Sequence, residues 1–188
     1  MTADKDSLRS HLRMDRRRAH HFWGGKAALQ VQDHVLRHLE KSEDRIVAGY
    51  WPIGSEMDPR PLMMTLQDRG EHLALPVVTA IEAPLAFRSF TFADDLQPGL
   101  CSTQEPLPGQ PFVRPTLLLV PLLGFDKRGF RLGQGGGYYD RTLADLRANG
   151  AIQAIGLAYA VQQIDKLPDE AHDQKLDAIV TEEGFIKP

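Results

Sequence analysis

Gly133, Gln134, Gly135, Gly136 and Gly137 stand between Arg131 and the run Tyr138-Tyr139-Asp140-Arg141. Without side chains, Gly135, Gly136 and Gly137 can turn successive backbone N–H groups towards one anion. A helix starting at Tyr138 would add its own N-terminal donors. Phosphate binding is the chemistry this allows, and a structural turn is the alternative that glycine content alone leaves open. Neither common nucleotide signature fits. A Walker A loop needs Lys and Ser or Thr after its last glycine, where Tyr138-Tyr139 stands, and the dinucleotide fingerprint needs Gly or Ala where Tyr138 falls. Asp140 beside a phosphate site could hold Mg2+ while substrate oxygens fill other positions. Its plainer reading is a favourable charge in the first turn of a helix.

Such a loop needs a strand before it and a helix after it. Leu117–Val120 is a short continuous apolar run suited to a central strand covered on both faces. Residues 138–148 read as a helix ending near Asn149-Gly150. Earlier, helices are expected over about 4–20, where Leu8 and Leu12 share a face, and over about 25–40, where Ala28, Val31, Val35 and Leu39 recur at helical steps. Residues 45–51 read as a buried strand. Asp58-Pro59 suggests an N-cap and first helical position, and Gly70 a stop. Strands are expected over 72–78, 85–92, 152–158 and 177–180. Five prolines between 94 and 116 mark an irregular connector. The alternation indicates an α/β fold with a mostly parallel central sheet, in one domain over residues 1–188. Ligands then sit beyond the carboxyl ends of the strands, which points at the segment after Val120.

The 188 residues are 42% hydrophobic and 25% charged, with a net charge of −3, as expected of one globular domain. No apolar run approaches the roughly 18 residues of a membrane span. Charges interrupt the N-terminus, so a secretory signal is not expected, and Asp4, Asp6 and Asp15 argue against an acid-poor transit peptide. The single Cys101 leaves no intramolecular disulfide and no multi-cysteine zinc site, and a reducing cytoplasm is the expected location. Residues 1–21 hold six bases (Lys5, Arg9, Arg13, Arg16, Arg17 and Arg18) against three acids. A solvated amphipathic helix and contact with a polyanion are both consistent with that. Lys5 and Arg9, four residues apart, share a helical face and can converge on one anion. Arg16, Arg17 and Arg18 point around most of a turn and cannot all do so.

Val120-Pro121, Phe125-Asp126, Gly129, Arg131-Leu132-Gly133 and Gly135 through Arg141 resemble the signature of the 5-formyltetrahydrofolate cyclo-ligases, also called methenyltetrahydrofolate synthetases. The resemblance extends over nearly the whole chain. Lys5-Asp6-Ser7-Leu8-Arg9 is similar to that family's Lys-x-x-Leu-Arg element, and Tyr50-Trp51-Pro52, Gly54, Glu56 and Asp58 to its folate-site segment. Glu105-Pro106 matches a pair in the connector, and Leu167-Pro168, His172-Asp173 and Asp177 to Thr181 match the closing segment. Leu122 and Leu123 are bulkier than the small residues expected after Val120-Pro121, and Gln134 stands where the family varies.

The resemblance implies a three-layer sandwich like that of sugar-phosphate isomerases and CoA-transferases. It implies conversion of 5-formyltetrahydrofolate to 5,10-methenyltetrahydrofolate with ATP and Mg2+. Lys5, Arg9, Arg131, Gly133, Gln134, Gly135, Gly136, Gly137, Tyr138 and Tyr139 would bind ATP, with Arg131 and Asp140 catalytic. Asp140 and Asp173 would hold Mg2+, and Trp51 and Glu56 the folate. Trp51 could instead be a core tryptophan, and Glu56 an exposed loop acid. A monomer is expected, with no nucleic-acid or membrane partner. The rival readings are a different ATP- or phosphate-ester-using enzyme, a nucleic-acid-binding module led by Arg16-Arg17-Arg18, and a folate-binding regulator without turnover.

Overall fold

A computed structural model describes residues 5–188. In chain order the elements are α1 (Lys5–His38), β1 (Ile46–Ala48), α2 (Arg60–Asp68), β2 (His72–Val77), β3 (Ala86–Phe90), β4 (Leu96–Pro98), β5 (Gln104–Pro106), β6 (Leu117–Pro121), β7 (Gly124–Phe125), β8 (Arg131–Leu132), α3 (Tyr138–Ala148), β9 (Gln153–Leu157), β10 (Ala178–Thr181) and β11 (Gly184–Ile186). The main sheet has the order β11-β10-β9-β6-β1-β2-β3. Its five inner strands run parallel, and β11 and β3 are antiparallel edges.

Burial explains the central run. Leu117 and Leu119 enter one apolar cluster with α1 and α2, whereas Leu118 and Val120 enter another with Leu143 and Leu146 of α3. All four β6 leucine and valine side chains are fully buried, each contributing about 1.5–3 kcal/mol by leaving water. Helices therefore cover both faces of the sheet, giving three layers.

Two expected N-terminal helices are one. The helix α1 continues through Gly24-Gly25, although each glycine costs about 1 kcal/mol against alanine. Leu12, Arg16 and Ala19 are buried on one side of the pair and Ala27, Ala28, Val31 and Val35 on the other, so packing outweighs local propensity. The expected start at residue 4 lies outside the described residues. The helix α2 begins one residue later than expected, at Arg60 with Pro59 as N-cap. Asp58 Oδ1 accepts the Arg60 N–H at 3.0 Å, and Gly70 follows the helix with φ +90°. The proline-rich connector contains the β4–β5 hairpin. No helix among the described residues is long and apolar enough to cross a membrane.

The carboxyl ends of β1, β6 and β9 lie side by side. They lead into residues 49–59, residues 122–137 and residues 158–167. The N-terminal half of α1 lies against these ends: a Cβ on Gly124 would come within 2.6 Å of Leu12 Cδ1, and Arg16 reaches the Leu122 carbonyl.

Candidate active site

The hairpin of β7 and β8 launches the glycine loop. Its turn is fixed by Asp126, whose side chain is fully buried. That carboxylate accepts from Arg128 N at 2.9 Å, Nε at 3.0 Å and Nη2 at 2.7 Å, and from Leu167 N at 2.9 Å. Burial alone would raise the Asp126 carboxyl, but these hydrogen bonds outweigh it and hold the group below its ordinary value. Arg128 also pairs with Asp169 at 2.9 Å. The turn thus grips the segment that leads to Asp173.

Gly135 and Gly137 adopt φ of +108° and +66°, a region that side chains rarely tolerate. Gly137 is the N-cap of α3, and no side chain caps that helix. The first-turn amides of α3 therefore face the loop without intrahelical partners. A Cβ on Gly137 would stand 2.6 Å from Arg141 Nη1.

The basic face of α1 roofs this loop. Arg9 Nε donates to the Gly133 carbonyl at 3.1 Å and Nη1 to Asp6 at 2.6 Å. Arg13, one turn on, donates from Nε and Nη2 to Gln134 Oε1 at 3.1 and 2.8 Å. Lys5 Nζ donates to Glu170 at 2.7 Å and lies 3.8 Å from Asp173 Oδ2, and its hydrogen bond holds the Glu170 carboxyl below the usual range. Arg131, nearly buried, donates to Asp140 Oδ1 at 2.9 Å and to the Gln174 carbonyl at 2.6 Å. Asp140 Oδ1 also accepts the Gln174 N–H at 2.9 Å, which brings the segment of Asp173 alongside. Burial pushes the Arg131 guanidinium down, and Asp140 opposes it most.

The second half of the site is built on residues 50–60. Glu56 is buried at 7% exposure, which sets aside the reading of an exposed loop acid. Its Oε2 accepts the Ile53 N–H at 2.9 Å, and its Oε1 lies 3.7 Å from Arg16 Nη1. Burial raises the Glu56 carboxyl, while the Ile53 amide and Arg16 pull it down less strongly. Burial and then the Glu56 charge push the Tyr50 and Tyr139 phenols well up, and Arg131 draws Tyr139 down. The two halves are joined by α1, whose Arg9 donates to Gly133 at 3.1 Å and whose Arg16 lies 3.7 Å from Glu56 Oε1. Trp51 is half-buried, edge-on to Phe90 at 6.3 Å, with the Arg60 guanidinium 5.1 Å over its ring. It both packs on the core and borders the site.

Arg13, Arg16, Asp126 and Arg128 carry no site role in the sequence reading, although Arg13 and Arg16 belong to its basic segment and Asp126 to the signature. For the first two a signal existed: 5, 9, 13 and 16 continue one helical face at steps of four, four and three. Arg16 is 5% exposed whereas Arg17 and Arg18 are exposed, so the triple arginine is not one patch. A groove of about 660 Å³ elsewhere along α1, lined by Phe22, Trp23 and Val161 with charges of both signs, contains none of the expected site residues.

The sequence model of the 5-formyltetrahydrofolate cyclo-ligase family matches residues 1–182. The chain belongs to that family. It is 29% identical to the 5-formyltetrahydrofolate cyclo-ligase of Haemophilus influenzae over 93% of this chain and 96% of that one. It is 35% identical to the Escherichia coli K12 protein of the same name over 72% of this chain and 76% of that one. The NMR structure of Aquifex aeolicus 5,10-methenyltetrahydrofolate synthetase is similar with a TM-score of 0.78 and 28% identity, covering 97% of this chain and 92% of that one. A Mycoplasma pneumoniae 5,10-methenyltetrahydrofolate synthetase, at TM-score 0.73 and 24% identity over 95% and 99% of the two chains, shares the fold. Within this family, the geometry gathers Lys5, Arg9, Arg131, Asp140 and Asp173 around the glycine loop and sets Trp51 and Glu56 in the adjoining segment.

No group of three or more His, Cys, Asp or Glu side chains suited to a metal occurs among the described residues. An all-protein cage is thus not on offer. Asp140 and Asp173 beside the glycine loop are hard oxygen donors of the kind that fit Mg2+, an ion that usually keeps several water or substrate oxygens as its other ligands.

Proposed function

We propose that this chain catalyses the ATP- and Mg2+-dependent cyclisation of 5-formyltetrahydrofolate to 5,10-methenyltetrahydrofolate, with release of ADP and phosphate. The observation that carries the proposal is that one face of α1 meets both halves: Arg9 donates to the Gly133 carbonyl of the glycine loop at 3.1 Å, and Arg16 lies 3.7 Å from Glu56 Oε1. A carboxylate suited to a pterin then stands next to a cradle suited to a nucleotide.

The chemistry needs both. The formyl group on N5 is an amide, and its oxygen leaves poorly. Attack by that oxygen on the γ-phosphorus of ATP breaks the bond to ADP and makes an imidate-like carbon. N10 then attacks this carbon, loses its proton, and phosphate departs with the C–O electrons as the ring closes. Positioning and charge neutralisation are most of what a protein contributes to the first step. In this reading Gly133, Gln134, Gly135, Gly136 and Gly137 offer the cradle, and the Tyr138 and Tyr139 amides extend it. Lys5, Arg9 and Arg131 neutralise phosphate charge. Asp140 and Asp173 would hold Mg2+, which would supply neutralisation of phosphate charge. Glu56 accepts from the pterin's amino and ring N–H groups, and Trp51 covers a flat face of the folate.

The test mixes purified protein with 5-formyltetrahydrofolate, ATP and Mg2+ and follows the absorption of the conjugated methenyl product. Turnover that requires both ATP and Mg2+ is expected. Equal turnover without ATP would overturn the proposal.

A further inference from the structure

Arg16 is the buried member of an otherwise solvated arginine run, and it bridges three parts of the fold. From α1, its Nε donates to Ser55 Oγ at 3.2 Å, and its Nη1 lies 3.4 Å from the Leu122 carbonyl and 3.7 Å from Glu56 Oε1. The last distance is a charge contact beyond hydrogen-bond length. Glu56 Oε2 is occupied by the Ile53 amide, and among the described residues no donor bonds Oε1. The pair therefore leaves one carboxylate oxygen open and electrostatically supported. Two ions withdrawn from water at such spacing stabilise a fold little or not at all. A role in shaping what binds at Oε1 accounts for the arrangement better than stability does.

We propose that Arg16 is a positioning residue for folate recognition: it holds Glu56 charged and aimed, with Oε1 open to the N–H donors of a pterin, and takes no part in nucleotide binding. The inference rests on Glu56 reading the folate, as proposed above.

The surroundings make folate affinity depend on pH through Glu56. It faces Arg16 from α1, Tyr50 from its own segment and Tyr139 from α3. Arg13 and Tyr159 stand near Arg16, Asp58 acts on Tyr50, and His20 touches the cluster through the Tyr159 hydroxyl at 3.1 Å. The phenols stay protonated in this range, burial pushing Tyr159 up to about 12 and Tyr50 and Tyr139 up as well. Burial already lifts the Glu56 carboxyl, and Arg16 opposes that lift. Without the Arg16 charge the carboxyl rises further. Folate affinity, which needs the ionised form, is then lost at a higher pH as the solution is acidified.

The experiment is equilibrium titration of 5-formyltetrahydrofolate, and separately of ATP, against wild type, R16Q, R16K, R16M, E56Q and R16Q/E56Q, from about pH 5.5 to 9. In R16Q the folate Kd rises about tenfold or more, the ATP Kd stays within about twofold, and the acidic limb of folate affinity moves to higher pH. R16K, which keeps the charge, retains more of the wild-type limb. R16M fills the same channel with an apolar stem and serves the same reading if R16Q does not fold. E56Q has no acidic limb, and a limb that persists unmoved in E56Q overturns the assignment of the pH dependence to Glu56. The double variant binds folate no more weakly than E56Q. Should E56Q bind folate like wild type, the reading of Glu56 itself falls. If E56Q loses folate while R16Q and R16M keep it with an unmoved limb, or if R16Q weakens ATP equally, the assignment of Arg16 alone is overturned.

Discussion

Arg131 Nη2 donates to Asp140 Oδ1 at 2.9 Å, so the guanidinium proposed to meet phosphate is bonded to the carboxylate proposed to meet the metal. Gln174 N–H bonds the same oxygen. Oδ2 is thereby the oxygen turned to other duties, and Oδ1 anchors the side chain. Asp140→Asn can keep both of these bonds through its amide oxygen while losing the negative charge. Turnover at limiting Mg2+ should fall about a hundredfold, equivalent to about 3 kcal/mol, with the melting temperature close to wild type. Asp173→Asn should act in the same direction more weakly, because Asp173 already accepts the Glu170 amide and lies near Lys5. Steady-state kinetics over a Mg2+ series measures both. Wild-type turnover in Asp140→Asn would leave Asp140 as a partner of Arg131 and nothing more.

Arg9 bonds the loop backbone at Gly133, and its guanidinium carbon would stand 3.5 Å from a Cβ on Gly135. Arg9→Ala should weaken ATP binding by about 1.5–3 kcal/mol, the scale of a charged hydrogen bond. Lys5 must exchange Glu170 for a phosphate, so Lys5→Ala should lie at the lower end of that range. Gln substitutions at the exposed Arg17 and Arg18 should leave ATP binding within about 0.5 kcal/mol. Calorimetric titration, with circular dichroism as a check on the fold, decides it. A loss confined to the Arg17/Arg18 variant would revive a general polyanion surface.

How much of this was legible depends on the range of the interactions. The helix over 138–148 was readable because its start and stop are local, glycines before and Asn149-Gly150 after. The strand β6 was readable because four apolar residues together admit few other uses. The two-residue strands β7 and β8 carry no periodicity, and β11 is only three residues beginning at Gly184, so no pattern could signal them. Continuity of α1 through Gly24-Gly25 depends on buried neighbours far along the chain. Lys5 and Arg9 were found by spacing, a local rule. Arg16 was not, since a run of three arginines reads as solvated until Glu56 and Leu122 are brought to it by the fold.

The two ends of the glycine loop should respond differently to a methyl group. Gly137 has φ +66° and would press a Cβ onto Arg141 Nη1, whereas Gly133 opens on free space. Gly137→Ala should lose about 1–2 kcal/mol of stability from the left-handed conformation, lowering the melting temperature by roughly 2–8 °C for a chain of this size. Its ATP affinity should fall as well. Gly133→Ala should melt like wild type, and any loss of ATP affinity there reports the nucleotide approaching the backbone. Thermal melts with and without ATP separate the cases. Equal melting of the two variants would refute the assigned loop conformation.

Asp126 links stability to the segment that carries Asp173, and its sign can be worked out. Its hydrogen bonds from Leu167 and Arg128 outweigh burial and depress the folded-state carboxyl below the ordinary 3.8. A depressed acid contributes stability that is present above the unfolded value and lost as pH falls through the folded one. Asp126→Asn can keep Arg128 Nε, Arg128 Nη2 and Leu167 N on its one acceptor oxygen, as Oδ2 does, but it loses the negative charge and turns an amide NH2 towards the Arg128 backbone N–H, which should cost about 2–3 kcal/mol at neutral pH. The difference from wild type should shrink as pH is lowered from about 4, where the wild-type carboxylate is itself neutralised. Because the clamp also carries Leu167 and Asp169 towards Asp173, the variant should need more Mg2+ for half-maximal turnover even where it is folded. Urea unfolding at several pH values and a Mg2+ titration of activity measure the two effects. A stability difference independent of pH would mean that the loss comes from packing, and an unchanged Mg2+ requirement would separate the clamp from the position of Asp173.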